Sequence, residues 1–402
     1  MAREGPRRGV SPLGREILGQ PQLYDTICTA EGMKKDNRLQ KASKVMNLTP
    51  ERESYFLGPV SACYLGYSHN SGVRERAASG GIVSSMIIHL LKTKQIDGAL
   101  VCRSKSIDDK ISFEVKIVTD PAEVLEYATS IYFNIPLLKY IHLIEEFNGR
   151  VAVVGLPCHI YALKKRTLSN VALGDKICIC IGLFCGHNSK RELLLEVLNK
   201  KGIREEDVHQ VIFRRGHWRG KMEISLKGSG VRSFPFQHFS IYQNLHFDSL
   251  KKCMHCVDHT AEFADISCGD AWIRSLKKNP IKHSMVITRT KKADRILWGM
   301  RNEDDIYLTK TDPATVFQSQ KRSLIYHKAI DARSKVGKFL GFNIVCPPQY
   351  ANTARWNEYL AAFIALLNVK ISDSKLLRKI VFALPRVFLT PYLYLFKILT
   401  NF

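Results

Sequence analysis

Cys253-Met-His-Cys256-Val-Asp258 lies near the middle of the chain and leads into Ala264-Asp-Ile-Ser-Cys268-Gly-Asp270. Two cysteines separated by two residues hold their thiolates on one tight loop, which is typical of zinc sites, iron–sulfur clusters and dithiol redox pairs. One such loop supplies only two ligands, whereas a tetrahedral site needs four. We therefore expect two more cysteines to reach this loop from other parts of the chain.

Two further cysteines stand where predicted strands end. The apolar run 151–155 leads into Cys158, and the Ile-rich run 176–183 leads into Cys185. A turn after a strand offers backbone amides and a polar setting, which favour the thiolate. Spacing alone leaves a structural zinc ion and an iron–sulfur cluster equally open. We predict that one metal site is formed by Cys158, Cys185, Cys253 and Cys256.

The remaining cysteines are interpreted differently. Strand alternation predicts that Cys178 and Cys180 share one face of their strand as small core residues, and Cys268 is either a spare thiol or a substitute ligand. The chain has 11 cysteines and opens on the polar segment 1–8, which lacks the apolar region of a secretory signal. Reduced cysteines and a cytoplasmic location are therefore expected.

Ser79-Gly80-Gly81 precedes the apolar helical pattern 82–91. A helix start of this kind presents free backbone N–H groups and the positive end of the helix dipole, which favour phosphate. The alternative is an ordinary helix cap with glycines for close packing. No Gly-x-Gly-x-x-Gly pattern follows the strand at 151–155, so a Rossmann dinucleotide site is not indicated.

The chain carries a formal net charge of +23 over 402 residues. Such charge attracts nucleic acid, anionic lipid, acidic proteins and polyanionic cofactors, although lysines that only solvate the surface would give the same total. The stretch 211–221 combines Arg214, Arg215, Arg219 and Lys221 with Trp218. It could hold nucleotide phosphates or an acidic partner surface, or be an exposed hairpin tip.

The C-terminal segment 374–402 has five Lys or Arg residues, no acids and many apolar and aromatic residues. Pro385 and Pro391 are expected to break its helices. A basic amphipathic segment can lie on an anionic membrane surface, here the inner face of the membrane. The alternative is a helix that docks on the body of the protein or on a partner. No run of about 18 apolar residues predicts a transmembrane helix.

Five sequence blocks in order also carry a resemblance. They are Ser79–Val83, Gly155–His159, Gly182–Cys185, Cys253–Ser267 and Met285–Thr290. Together they resemble the beta-subunit family of coenzyme F-420 hydrogenases and dehydrogenases, over roughly 58–290. The family implies FAD, a [4Fe-4S] cluster and redox chemistry, with coenzyme F-420 as a candidate two-electron partner. The ferredoxin-like cysteine repeats that often begin such chains are absent, because Cys28 is alone in the first 62 residues.

The resemblance also implies roles for particular residues. It makes the four cysteines cluster ligands, and it places FAD phosphates at Ser79, Gly80 and Gly81. Ser130 and Tyr132 match a Ser/Thr-Lys-Tyr sequence of the family, with Ile131 in place of the lysine, and a neutral side chain there cannot bind an anion. Asp270, beside the proposed cluster, is a further cofactor candidate, with a simple turn residue as its alternative.

The predicted fold is mixed α/β: a central mixed sheet flanked by helices, with cluster-binding loops at strand ends. We expect a basic, partly ordered arm (1–57), a flavin and iron–sulfur core (58–345) and a helical, basic amphipathic tail (346–402). A flavin accepts hydride and releases single electrons, so it can connect a two-electron carrier to a cluster. The predicted function is an iron–sulfur flavoprotein oxidoreductase with a redox partner protein, ferredoxin-like or another subunit. The alternatives are a zinc-stabilised nucleic-acid-binding module, which the resemblance disfavours, and a non-catalytic membrane-associated subunit.

Overall fold

The computed structural model describes residues 49–228 and 230–401. Its strands are β1 (Ala62–Ser68), β2 (Gly98–Ile107), β3 (Lys110–Val118), β4 (Val151–Gly155), β5 (Ile177–Leu183), β6 (Val208–Arg215), β7 (Lys221–Leu226), β8 (Val231–Pro235), β9 (Ile266–Asp270), β10 (Ser284–Thr288) and β11 (Ile306–Thr311). Its α-helices are α1 (Pro50–Leu57), α2 (Ser71–Arg76), α3 (Ile82–Lys92), α4 (His142–Glu146), α5 (Pro157–Ser169), α6 (Val171–Lys176), α7 (Arg191–Asn199), α8 (Gln237–Asn244), α9 (Lys291–Asn302), α10 (Pro313–Lys328), α11 (Ile330–Leu340), α12 (Trp356–Asp373), α13 (Lys375–Ala383) and α14 (Arg386–Leu399).

The central sheet has the strand order β11-β1-β10-β9-β5-β4-β2-β3. The neighbours β2, β4, β5 and β9 run parallel, and the outer strands pair antiparallel. Parallel strands are covered by helices on both faces, and the short β-branched runs of β4 and β5 are accordingly buried. A second, antiparallel sheet has the order β6-β7-β8. The mixed α/β fold predicted from the sequence is confirmed.

The parallel strands matter for function because their carboxyl ends open at one edge of the sheet, where ligands of α/β proteins bind. Two apolar clusters hold these strands in place. On one face, α3 buries Ile82, Met86 and Leu90 at helical spacing. On the other face, α5 buries Ile160 and Leu163. Both helices begin close to candidate ligands, so their packing fixes the positions of those ligands.

The pairing of β4 with β5 contains a register shift between Val151 and Ala152. Cys178 packs with the cluster under α3, whereas Cys180 is buried in the cluster under α5. The prediction that the two thiols share one face is therefore wrong, because the irregular pairing interrupts the alternation of the strand.

The segment before β1, expected to be a partly ordered arm, is described from residue 49 onwards. Residues 50–57 form α1, which Thr49 caps through its side chain. Its Phe56 is buried, with its ring centroid 4.8 Å from that of Phe317 in α10. Apolar packing on the body therefore orders this part of the arm. Residues 1–48, which include Cys28, lie outside the described residues.

The C-terminal segment forms α13 and α14, which meet at an angle of 103°. Pro385 caps the start of α14, but Pro391 lies inside this helix without ending it, contrary to the expectation. One face of α14 is buried on the body through Leu389, Leu393 and Phe396. Among the described residues no single helix has the length and apolarity to cross a membrane, although the bent α13–α14 pair together meets those criteria.

Candidate metal centre and adjoining cleft

The four predicted cysteines come from three segments. Cys158 is the second residue of α5, directly after β4, and Cys185 follows β5 by two residues. Cys253 lies in the 3₁₀ turn Lys251–His255, and Cys256 follows that turn. Burial is the first cause that raises the pKa of the Cys185 thiol, and the charges of Cys253, Cys256 and Cys158 raise it further. The structure thus brings all four thiols into mutual electrostatic contact.

The sulfur atoms stand wider apart than the ligands of a single ion. In the described part of the chain, no three of these four sulfurs all lie within 4.8 Å of one another. Zinc–sulfur bonds of about 2.3 Å in a tetrahedron would place the sulfurs about 3.8 Å apart. The space between the thiols is therefore better matched to a larger group.

Backbone hydrogen bonds hold the segments that carry these thiols. The backbone N–H of Asn188 donates to the Cys253 sulfur at 3.4 Å, and such a bond favours the thiolate. The Cys185 N–H donates to the His259 carbonyl at 2.9 Å, and His259 Nδ1 lies 3.0 Å from the Cys185 carbonyl. Strand β5 and the segment after Cys256 are thereby fixed relative to each other.

Arg333 of α11 lies beneath this loop and is fully buried. Its Nε donates to the Met254 carbonyl and its Nη2 to the Cys256 carbonyl, each at 2.8 Å. It also donates to the carbonyls of Tyr326 and His327. Among the described residues no carboxylate forms an ion pair with it. A buried guanidinium without such a partner is costly, so negative charge on the loop thiols would stabilise it.

The four thiols differ in exposure. Cys158 is exposed, whereas Cys185, Cys253 and Cys256 are half-buried. Burial raises the pKa of Cys158, and the nearby ammonium of Lys252 lowers it. Cys158 is therefore the thiol through which the site meets solvent.

Cys268 belongs to the core. It is buried in β9 opposite Val286, and burial raises its pKa to about 12. Of the two roles considered for Cys268, its packing supports the spare thiol.

A cleft opens near the thiols, at the end of β9 next to the strand that leads to Cys185. Its lining includes Ser79, Trp218, Asp270, Trp272, Lys282 and His283. Two features that the sequence analysis treated separately, the helix start at Ser79 and the cationic stretch 211–221, therefore line one space. The stretch forms the end of β6 and the turn into β7.

The helix start has the expected form, and its two glycines have a packing role. No side chain caps the N-terminus of α3, and the Gly80 N–H donates to Ser284 Oγ at 3.0 Å. A Cβ on Gly80 would lie 2.4 Å from the Gly66 carbonyl oxygen, and Gly81 has a φ of +85°. Both glycines are thus required by the protein's own packing. This packing role is the alternative that the sequence analysis gave for the two glycines, and phosphate binding at this helix start stays a prediction.

Arg214 connects two predicted cofactor residues. Its Nη1 lies 2.5 Å from Asp270 Oδ2 and 3.5 Å from the Tyr132 hydroxyl, and its Nη2 donates to the Trp218 carbonyl. Arg214 is buried, and its Nε has no hydrogen-bond partner within the described protein. Asp270 is the last residue of β9, not a turn residue, and the Ser130 side chain bonds to Tyr132. This network leaves one buried donor available to a ligand.

Positive charge accumulates around the cleft. The pKa of Lys282 is lowered to about 8, first by burial and then by Arg214. The pKa of Lys397 is also lowered to about 8, by burial and then by Arg322 and Arg219. Like charges lower one another's affinity for protons. An anionic group in this region would relieve that repulsion.

A chain of hydrogen bonds joins the thiol site to the cleft. His259, bonded to the Cys185 carbonyl, has its Nε2 3.2 Å from Gln320 Oε1. Gln320 Nε2 then donates to the Asp270 carbonyl at 2.6 Å. The sequence analysis missed Gln320, Lys282 and Arg333, because each lies far along the chain and no local motif marks it.

These features define a class of protein: a mixed α/β chain with a four-thiol site beside a cationic, tryptophan-lined cleft. Two family models match this chain. The model described as "Coenzyme F420 hydrogenase/dehydrogenase, beta subunit N-term" matches residues 63–142, and the corresponding C-terminal model matches residues 148–314. Together they cover more than half of the chain. The chain belongs to the coenzyme F420 hydrogenase/dehydrogenase beta-subunit family.

Curated relatives agree with this family. A coenzyme F420 hydrogenase subunit beta of Methanococcus voltae is 29% identical over 272 residues, covering 63% of this chain and 91% of the relative. A coenzyme F420-dependent sulfite reductase of Methanocaldococcus jannaschii is 26% identical over 278 residues, covering 65% of this chain and 40% of the relative. The prediction of an oxidoreductase is confirmed at the level of the family.

A solved structure shows the same fold. It is a chain from the F420-reducing [NiFe] hydrogenase complex of Methanosarcina barkeri, with a TM-score of 0.56 and 18% sequence identity. The match covers 75% of this chain and 99% of that chain.

Proposed function

We propose that this protein is an iron–sulfur flavoprotein that passes electrons between a two-electron carrier and a one-electron partner protein. The observation that carries the proposal is the convergence of four thiols beside a cationic cleft, linked by His259 and Gln320. When bound, FAD would accept hydride and release single electrons to a [4Fe-4S] cluster. The thiol site and the cleft would hold these two groups.

For the cluster, we propose Cys158, Cys185, Cys253 and Cys256 as the ligands. Thiolates are the usual ligands of such clusters. Support comes from the mutual influence of the four thiols, from sulfur atoms too widely spaced for one zinc ion, and from the Asn188 N–H on Cys253. Arg333 would contribute buried positive charge beside the anionic cluster.

For FAD, we propose the cleft, with its phosphates near Ser79 and the uncapped start of α3. Arg214 and Lys282 supply positive charge, and Trp218 and Trp272 supply aromatic surface. Its lining combines the helix start at Ser79, the ring of Trp218 and the cation of Lys282, which suits one part of a dinucleotide. Ser130, Tyr132 and Asp270 would act on the ligand through Arg214, and Gly80 and Gly81 would shape the backbone.

We propose coenzyme F-420 as the two-electron carrier. The relatives are named as a hydrogenase, a sulfite reductase and a formate dehydrogenase. These enzymes differ in their other substrate, but all three names include coenzyme F420. The crowded cations Arg219, Arg322 and Lys397 would favour a second anionic molecule near the flavin.

On the one-electron side, we propose a ferredoxin-like protein or another subunit that approaches Cys158. Tyr161, one turn further along α5, and Phe263 are half exposed, with ring centroids 5.1 Å apart. The ammonium of Lys252 acts on Cys158. Exposed aromatic rings next to a cation are typical of a protein-binding surface. We also infer a cytoplasmic location, since the ten cysteines among the described residues are all free.

The test is reconstitution under anaerobic conditions with iron, sulfide and FAD, followed by visible spectroscopy. We expect flavin bands together with broad iron–sulfur absorption. Cys185→Ser should lose the iron–sulfur absorption and keep flavin, whereas Cys178→Ser, on the same strand, should keep both. Lys282→Met should lower the bound flavin, and its control Lys278→Met should not. A colourless protein that binds one zinc ion would contradict the proposal and favour the zinc-stabilised alternative.

A further inference from the structure

The outer face of α14 is apolar and has no cover within the described protein. It carries Val387, Phe388, Tyr394, Leu395 and Ile398, spaced so that they form one stripe along the helix. Val387 is 69% exposed and Phe388 is 65% exposed. The opposite face is buried on the body, so the helix is docked and the stripe faces outward. Exposed apolar stripes of this size mark interaction surfaces.

Helix α13 repeats the arrangement. Leu376, Leu377 and Ile380 are exposed, and Leu376 is 69% exposed. The exposed lysines Lys375 and Lys379 flank them. The buried face of α13 carries Phe382, which stacks on Tyr242 with ring centroids 4.5 Å apart. Both helices are therefore fixed to the body through one face and present apolar residues on the other.

The charges on this segment are of one sign. Residues 374–402 contain no acid. Not all five cations are available, since Arg378 pairs with Asp248 at 2.7 Å and Glu196 at 3.1 Å, and Lys397 belongs to the cations near the cleft. Arg386 is half-buried with its Nε enclosed, and its charge acts on His238 and Lys200 of the body. Lys375 and Lys379 remain exposed. Apolar residues accompanied only by cations complement a surface with an apolar interior and anionic outer groups.

We propose that α13 and α14 form a fixed, peripheral docking surface for an anionic lipid bilayer. The 14 residues of α14 span about 21 Å, which is shorter than the roughly 30 Å hydrocarbon core. The exposed side chains would enter the interface between head groups and acyl chains, and Lys375 and Lys379 would contact anionic head groups. Of the residues on these two helices, only Lys397 also belongs to the cations near the cleft.

Removing the whole segment would expose the core behind Phe382 and Phe396, so the test uses substitutions on the exposed face of the full chain. The measurement is flotation with vesicles of phosphatidylglycerol and phosphatidylcholine, compared with vesicles of phosphatidylcholine alone. Each lysine is worth about 1 kcal/mol near an acidic surface, so Lys375→Gln combined with Lys379→Gln should weaken binding about 30-fold. Phe388→Ser combined with Leu395→Ser should weaken it at least tenfold.

Matched controls lie on α5, where Lys165 and Leu168 are exposed. Lys165→Gln and Leu168→Ser should leave flotation unchanged, and circular dichroism should show that all variants fold. The inference is overturned if anionic vesicles do not bind the full chain, or if the α13 and α14 variants bind as well as the controls. It is also overturned if Phe388→Ser abolishes a dimer without changing flotation, because a second copy of the chain would then cover this face.

Discussion

Replacing Arg333 by methionine should lower the reduction potential of the proposed cluster. Arg333 donates to two carbonyls within the Cys253–Cys256 loop and is fully buried. Burial lowers the pKa of Arg333, and the nearby Tyr326 and Cys256 offset only part of this effect. A guanidinium remains protonated in proteins, so a full positive charge stays beside the thiols. Reduction adds one negative charge to the cluster, and this positive charge stabilises the reduced form more than the oxidised form.

The magnitude follows from the distance. The guanidinium lies 2.8 Å from the Cys256 carbonyl, and ordinary bond lengths then put it on the order of 6 Å from that residue's thiolate. At that distance and an effective dielectric constant of about 20, one unit charge contributes about 3 kcal/mol. For a one-electron couple this corresponds to about 0.1 V. The potential of the Arg333→Met variant should therefore fall by about 0.1 V.

The assay is a redox titration followed by electron paramagnetic resonance, on protein reconstituted with iron and sulfide. Arg333→Lys keeps the charge and should retain most of the potential, although it cannot make all four hydrogen bonds. Lys335→Met is the matched control, since Lys335 lies on the same helix and its charge is partly exposed. An unchanged potential in a fully loaded Arg333→Met variant would refute the electrostatic argument. If the Arg333→Met variant does not load the cluster, the Arg333→Lys variant is compared with the wild-type protein instead. A fall in potential of about 0.1 V in Arg333→Lys, which keeps the charge, would also refute the electrostatic argument.

Two further predictions concern the cleft. Gly80→Ala should reduce the amount of soluble, folded protein, because its Cβ would lie 2.4 Å from the Gly66 carbonyl oxygen and 2.7 Å from the Ser284 nitrogen. The control Gly174→Ala, whose Cβ meets nothing closer than 3.5 Å, should be neutral or slightly stabilising in thermal unfolding. Equal stability of the two variants would contradict the packing argument. FAD affinity should fall as pH rises through about 8, since the pKa of Lys282 is lowered to about 8 and its positive charge is present only below that pH. Lys282→Met should remove this pH dependence in a fluorescence titration, and a wild-type affinity that is constant from pH 6.5 to 9.5 would contradict the role of Lys282.

The thiol site was largely predictable because its signals are local. A Cys-x-x-Cys loop and cysteines after two strands can be recognised from a few neighbouring residues, and parallel pairing of β4 with β5 then brings Cys158 and Cys185 to one edge. The helix start at Ser79 was recognised for the same reason. The packing partners of its glycines could not be predicted, because Gly66 and Ser284 approach Gly80 from strands that are distant in the sequence.

The sequence could not predict contacts that depend on the relative positions of several helices and strands. Arg214 is one of several cations in the stretch 211–221, and only the position of β9 shows that it is the one that meets Asp270. Arg333 has no motif around it. The register shift that separates Cys178 from Cys180 depends on how β4 and β5 pair, which alternation within one strand cannot reveal. Pro391 stays within α14 because the buried residues Leu389, Leu393 and Phe396 hold the helix on the body, and this packing offsets the cost of proline in a helix.

The link between the two proposed sites explains why they occur in one fold. Asp270 ends β9, where its side chain binds Arg214 in the cleft and its carbonyl accepts from Gln320. His259 connects Gln320 to the backbone of Cys185. Strands β5 and β9 are parallel neighbours, so their carboxyl ends place Cys185 and Asp270 at the same edge of the sheet. A shift of either strand would move a proposed cluster ligand and a proposed flavin residue together. The rigid sheet therefore fixes the spacing on which electron transfer between the two sites would depend.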